Sequence, residues 1–397
     1  MANELPNSGI IFWPVGNGDS ATLIVDKTNG VFVQVDLNHL AKSDDVNEPE
    51  HPVIDRLEEI LPKRNERPYL SVLVITHPDR DHCCGVAELL ERIDVGEILF
   101  TPRLFREDHT TLGEDALALR DEAQRRVKEV IRTGGNVNSG DRVRIIGHDP
   151  DINNDDLYKG FPASLRISPG KAFTMLDGVD RSSVFTAFVH APFKEDCDGE
   201  RNDTSVAMQV CLKQGDHTCT ALLFGDLCRA TITQIFAKTH EQKNDSFLEW
   251  DILLAPHHCS KYVMFWKDGN DVLQLDEKIM DEFENASRSG CYVVASCNPI
   301  PVSNGDGDNP PHAAAKRQYL TLVTTKSHFL VTHEHGDTDQ PQPIVFALSD
   351  AGYRYVAPES SAKAMKASSS QTIITVAERV NPPAATPQTR LGYGEDA

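Results

Sequence analysis

Between Leu73 and Gly85 the chain reads LVITHPDRDHCCG, an apolar run followed by His77, Asp79, Asp81 and His82 within six positions. Two imidazoles and two carboxylates leaving the end of a buried strand are the residue types that hold a divalent cation. A plain polar turn needs no such alternation, because Pro78 and Gly85 already supply turn chemistry. The pattern therefore predicts a metal site whose other half lies elsewhere in the chain. Asp36 ends VFVQVD and Asp226 ends ALLFGD, each a carboxylate at the tip of an apolar run; His257 and His258 end DILLAPHH, and Asn202 with Asp203 introduce SVAMQVCL. Ligand-type residues at the carboxyl ends of several strands are how an α/β scaffold gathers a site at one edge of its sheets.

The elements that must position these residues show as short apolar runs. GIIFWPV, ATLIVD, VFVQVDL, YLSVLVIT and EILF predict strands in the first half; VFTAFVH, SVAMQVCL, CTALLFGD, DILLAP, CYVVAS, HFLVT and PIVFAL predict them in the second. Helical periodicity separates them in VIDRLEEIL, GVAELLERI, ALALRDEAQRRVKEVIR, LCRATITQIFAKTH and HAAAKRQYLTLV. Two strand-rich halves covered by helices predict an α/β fold of αββα sandwich type, spanning residues 1–357 as one domain. Residues 149–170 and 263–275 read as insertions or long loops. Residues 358–397 read as a polar, Ser/Ala/Pro-rich tail with one short strand at TIITVAE. His190 in FTAFVHAPF reads as a core or rim histidine.

The 397 residues carry 39 basic and 60 acidic side chains, a formal charge of −21, which opposes non-specific adhesion to nucleic acid or anionic membrane. No apolar stretch approaches a membrane span and no basic-then-apolar leader opens the chain, so a cytoplasmic protein without membrane association is expected. Nine cysteines without a CxxC pair predict reduced, mostly buried thiols. Cys83, Cys84 and Cys259 adjoin the ligand motifs and read first as small core residues, with soft metal ligation as the alternative.

THPDRDH resembles the HxHxDH signature of metallo-β-lactamase-fold hydrolases, with Asp79 where most members carry the middle histidine. Together with VGNGDSATLIV, NDTSVAM, LLFGD, LLAPHHCS and NPPHAAAK, this HxDxDH variant is similar to the hydrolase domain of ComEC-type DNA-uptake proteins and to soluble phosphorylcholine esterases, over residues 9–350. The family usually has glycine where this chain has Cys259. The resemblance implies two metal ions, zinc or manganese: His77, Asp79 and Asp226 on one; Asp81, His82, Asp226 and one of the histidine pair on the other. Asp226 would bridge, and Asp36 would fix a histidine or a metal-bound water. Asn202 and Asp203 would occupy the neighbourhood of the family's third motif. His258 is the expected ligand of the pair and His257 the group facing substrate, the reverse being the alternative.

Two divalent ions about 3.5–4 Å apart can share a bridging hydroxide and draw charge from both the attacked and the leaving oxygen, which suits a phosphodiester. An aspartate in place of an imidazole hardens the first site toward manganese. Asp81, Asp226 and His257 are then the residues expected in catalysis, with Lys261 and His312 placed to meet phosphate oxygens. The expected activity is a phosphodiesterase or nuclease; the alternatives are a small-molecule ester or phosphoester hydrolase, and a non-catalytic interaction module that kept the fold. The expected partner is a phosphodiester, with nucleic acid as one candidate; no protein partner is named by the sequence.

Overall fold

The computed structural model describes residues 5–40, 51–147, 152, 155–193, 202–305, 308–337 and 340–358. The polar tail, with its expected strand at TIITVAE, lies outside the described residues from 359 onward. Fourteen main strands and six main helices matter for the site. The strands are β1 (Ser8–Phe12), β2 (Ala21–Asp26), β3 (Val31–Val35), β4 (Arg67–Val74), β5 (Asp94–Phe100), β6 (Arg142–Ile146), β7 (Phe185–Ala191), β8 (Ala207–Gln214), β9 (His217–Leu223), β10 (Trp250–Leu254), β11 (Ser287–Ala295), β12 (Phe329–Val331), β13 (Ile344–Ser349) and β14 (Gly352–Val356). The helices are α1 (Val53–Ile60), α2 (Val86–Arg92), α3 (Glu114–Thr133), α4 (Arg229–Glu241), α5 (Glu277–Ala286) and α6 (Ala313–Leu322).

One sheet runs β14-β13-β1-β2-β3-β4-β5-β6, and the other runs β7-β8-β9-β10-β11-β12. Within them β3 to β6 are mutually parallel, as are β9 to β12. Their inner faces share one apolar core: Ile10, Phe12, Val33, Val72 and Val74 of the first sheet meet Val189, Met208, Val210, Ile252 and Val294 of the second. Because side chains alternate across a strand, Ile11 and Trp13 point the other way, into a core shared with α1, α2 and α3. The outer face of the second sheet is covered by α4, α5 and α6 through Phe236, Phe283 and Tyr319. Both faces of each sheet are thus buried, which is why the strands read as continuous apolar runs. These four layers are the expected αββα sandwich of the metallo-β-lactamase fold.

The structure departs from the sequence reading in four places. PIVFAL, counted with the second half, becomes β13 and pairs antiparallel with β1 in the first sheet, its register matching Ile10 to Phe346. Helix α5 is absent from the sequence reading, although Ile279, Met280 and Phe283 share one face of an otherwise mostly acidic segment and are the residues it buries. Residues 263–275 hold a hairpin, Phe265–Lys267 with Leu273–Leu275, where a loop was expected. The described part of the expected 149–170 insertion is anchored to the core by Tyr158 and Phe161. Among the described residues no helix is long and apolar enough to cross a membrane.

Candidate metal centre

The two parallel blocks end at the same edge of the sandwich, and the ligand-type residues leave those ends. Asp36 follows β3, the segment His77–His82 follows β4, Asp226 follows β9, and His257 and His258 follow β10. His82, Asp226 and His258 are almost fully buried, and one ligand atom from each, with one from Asp81, lies within 4.8 Å of all the others. Asp226 Oδ1 is 3.1 Å from His82 Nε2 and 3.3 Å from His258 Nε2; Asp81 Oδ2 is 3.3 Å from the same His258 nitrogen.

The far nitrogen of each imidazole is held from behind. His82 Nδ1 donates to Asp36 Oδ2 at 2.8 Å, and His258 Nδ1 donates to the Ser296 carbonyl at 3.2 Å. The Thr76 hydroxyl donates to Asp36 Oδ2 at 2.8 Å and accepts from His77 Nδ1 at 3.1 Å. With a proton on each Nδ1, each Nε2 presents a lone pair to the middle of the group. The Nε2 atoms of His77, His82 and His258, together with Asp226 Oδ1, are buried and have no partner in hydrogen-bond geometry. Buried polar atoms left unmatched would together cost several kcal/mol, and a divalent cation among Asp81, His82, Asp226 and His258 would satisfy three of the four, with His77 Nε2 left for a second ion. The donor set therefore fits a metal ion.

A second group beside it joins the buried His77 to the part-exposed Asp79 and His257. His77 Nε2 is 3.7 Å from Asp79 Oδ2, and His257 Nε2 is 3.7 Å from Asp226 Oδ2. The His257 side chain is 20% exposed against 4% for His258. The two adjacent histidines diverge because the backbone coils in the left-handed region over three residues, with φ of 50° at His257, 51° at His258 and 65° at Cys259. None of the three is glycine, and each left-handed residue costs about 1–2 kcal/mol. The turn is pinned by His257 N donating to Gly225 O at 3.0 Å and by His312 N donating to Cys259 O at 3.1 Å.

Electrostatics around the cluster follow from burial and from the shared carboxylates. Burial opposes protonation of His82 and His258, yet Asp226 with Asp36 overcomes it at His82, and Asp226 with Asp19 and Asp81 at His258, so both pKa values stand well above the ordinary 6.5. His77 is pushed down to about 3, first by burial and then by His82. Burial works against ionisation of Asp226, but His258 and His82 hold its carboxyl well below the usual range.

Several residues at the centre carry no signal in the sequence. Ser205, in the NDTS stretch, is buried with its Oγ 3.2 Å from His77 Nδ1 and 3.3 Å from the Asp226 backbone N–H that it accepts. Asn202 and Asp203, expected near the ligands, form the short helical turn that delivers Ser205, whose N–H donates to Asn202 O at 3.0 Å. Gly225 comes so close that a Cβ there would meet Ser205 Cβ at 3.0 Å. Thr76 and Ser296 likewise sit behind ligands.

Other expectations take different places. His312 cannot reach a phosphate: it is fully buried, Nδ1 accepts from Lys261 N at 3.1 Å and Nε2 donates to Asp308 O at 2.9 Å, so it braces the histidine turn. Lys261 follows that turn, largely buried, and its ammonium has no ion pair among the described residues. His190 is buried behind α4, donating to Phe247 O at 2.9 Å. Cys83, Cys84 and Cys259 are buried free thiols outside the ligand cluster, as the core reading expected.

No protein-family model and no curated protein matches the chain. Among solved structures it is similar to three metallo-β-lactamases. These are SMB-1 bound to 2-mercaptoethanesulfonate (10% identity, 63% of this chain and 78% of that one, TM-score 0.30), the subclass B3 enzyme BJP-1 of Bradyrhizobium japonicum (16% identity, 72% and 89%, TM-score 0.29), and the class B3 di-zinc enzyme LRA-12 from an Alaskan soil metagenome (13% identity, 72% and 95%, TM-score 0.30). Similarity at this level transfers neither site residues nor substrate, and the fold rests on the strand order and layering above.

Two outcomes follow. Because an entering ion must displace protons held by His82 and His258, apparent zinc or manganese affinity should rise with pH between 6 and 8, about tenfold per pH unit for each proton released. Competition titrations showing a flat affinity across that window would contradict this charge balance. At Cys259 the left-handed φ opposes the loss of buried side chain, so Cys259→Gly should be at least as stable as Cys259→Ala in urea unfolding. A glycine variant about 1 kcal/mol less stable than the alanine variant, as in ordinary backbone, would show that the turn is unstrained.

Proposed function

We propose that this chain is a metal-dependent hydrolase that cleaves phosphodiesters with two divalent ions shared through Asp226. The observation that carries the reading is the convergence of three unpartnered buried ligand atoms, His82 Nε2, His258 Nε2 and Asp226 Oδ1, with Asp81, beside a second group made of the buried, unpartnered His77 Nε2 and the part-exposed Asp79 and His257. His77, Asp79 and Asp226 Oδ2 would hold one ion, and Asp81, His82, Asp226 Oδ1 and His258 the other. Bound there, such ions supply Lewis acidity and an activated water.

The chain's own residues do the rest. Asp36, Thr76, Ser205 and Ser296 keep the three imidazoles in the Nδ1–H tautomer and aim their lone pairs. His257, part-exposed beside Asp226, is positioned to donate to a phosphoryl oxygen as charge develops there. Lys261, lacking a protein anion among the described residues, supplies positive charge next to that face. An oxygen-rich donor set with three carboxylates suits zinc or manganese and a hard, anionic ester. The net charge of −21 favours a second reading in which the substrate is a small phosphodiester and not a polynucleotide.

Assays of metal-loaded protein on bis-p-nitrophenyl phosphate, single- and double-stranded DNA, RNA and a chromogenic β-lactam separate these substrates. Turnover of the phosphodiesters is expected; turnover of the β-lactam alone would overturn the reading. His258→Ala should lose one ion and more than about 100-fold in rate, beyond the 10–100-fold typical of a residue behind a ligand. His257→Ala should keep both ions and lose about 10²–10³-fold in kcat, as for one donor to developing charge. Metal lost from His257→Ala and kept in His258→Ala would reverse the two roles.

A further inference from the structure

One more carboxylate lies beneath the centre. Asp19, in the GNGDS loop joining β1 and β2, is only 6% exposed, and its Oδ1 is 3.5 Å from His258 Nδ1, on the side of the ring away from the ligand nitrogen. One of its carboxylate oxygens also lies within 4.8 Å of a carboxylate oxygen of Asp36 and a ring nitrogen of His82. We infer that Asp19 is a positioning residue for His258, doing for that ligand what Asp36 does for His82, and so sets the affinity of the ion held by Asp81, His82, Asp226 and His258. The inference rests on the metal-centre reading above.

The loop is built to hold that carboxylate still, with bonds to both halves of the site. Asp19 N donates to the carbonyl of Asp81 at 3.1 Å, on the segment after β4. Ser296 Oγ donates to Gly18 O at 2.6 Å, and Asn298 N donates to Asn17 Oδ1 at 2.9 Å, both from the segment after β11. A Cβ on Gly18 would meet Asn38 Nδ2 at 2.2 Å and Asp81 O at 2.7 Å, so the backbone there passes with no spare room. The short polar stretch between two apolar strands is therefore a strap across the site.

The Ser296 carbonyl and the Asp19 carboxylate act on the same N–H in different ways. The carbonyl, closer at 3.2 Å, fixes where the proton points. The carboxylate brings a full negative charge to within 3.5 Å in a dry setting, which keeps the proton on Nδ1 and strengthens Nε2 as a donor. Asp19 as a ligand in its own right is the rival role. An ion between Asp19 and Asp36 would have to displace the His82 Nδ1–H that Asp36 already accepts at 2.8 Å, so the geometry favours positioning.

The test uses the full chain. Asp19→Asn is nearly isosteric; it removes the charge and leaves the Asp81 carbonyl and Ser296 bonds of the strap in place. Ser296→Ala removes the strap bond to Gly18 and leaves both the charge and the Ser296 carbonyl. Zinc affinity is measured by competition titration, and the cobalt-substituted proteins are compared by the solvent-exchangeable imidazole N–H signals in proton NMR. Asp19→Asn is expected to weaken one of the two ions about 10–100-fold and to shift one imidazole N–H signal of that ion while leaving the others in place. Ser296→Ala is expected to lower the unfolding temperature without the selective loss. Unchanged affinity and signals in Asp19→Asn overturn the proposal. So does an equal loss at both ions with a lowered unfolding temperature in both variants, because Asp19 would then only anchor the loop. Wild-type protein that binds no ion overturns the metal-centre reading itself, and is distinguished by failing before any substitution is made.

Discussion

A buried carboxylate with imidazoles on both sides is stable only if positive charge is supplied, and Asp226 is that carboxylate. Its Oδ1 faces His82 and His258, and its Oδ2 faces His257. Leaving it ionised and unpaired at this depth would cost several kcal/mol, so the surroundings must bring either protons or metal ions. The raised pKa values of His82 and His258 show the first solution, and the aligned lone pairs of three Nε2 atoms show readiness for the second.

That requirement accounts for the form of the scaffold around it. No single strand end could supply six ligand-type groups, so the fold joins two parallel blocks by their inner faces and lets both open onto one edge. Sheet packing holds each half in place, because both faces of both sheets are buried. The left-handed turn at His257, His258 and Cys259 spends some of that stability. Three non-glycine residues in that region are held by backbone bonds from His257 to Gly225 and from His312 to Cys259, and the coil sends two adjacent imidazoles to opposite sides of one carboxylate.

The fold class was legible because burial on both faces turns each strand into an apolar run, and the candidate ligands were legible because ionisable groups recur at the tips of several such runs, where each alone could be a cap or a turn residue. The residues behind them were not. Thr76, Ser205 and Asp19 lie inside the motifs THPDRDH, NDTSVAM and VGNGDSATLIV and Ser296 in none, but a motif does not say which small polar residue backs a ligand, because that depends on which ring nitrogen lies within 3.5 Å. His312 illustrates the converse, since a histidine at a helix start near a motif invites a functional role while both its nitrogens are spent on backbone groups. The pairing of β13 with β1 escaped for a third reason: it is set by long-range packing, which local periodicity does not contain.

The central claim is that one carboxylate is shared by two ions. Anomalous diffraction from crystals grown with zinc or manganese, recorded on both sides of the metal edge, tests it most directly. The account predicts two peaks about 3.5–4 Å apart, one on each side of the Asp226 carboxylate, with His258 on one and His77 on the other. A single peak, or a peak between Asp19 and Asp36 with none at Asp226, would contradict it.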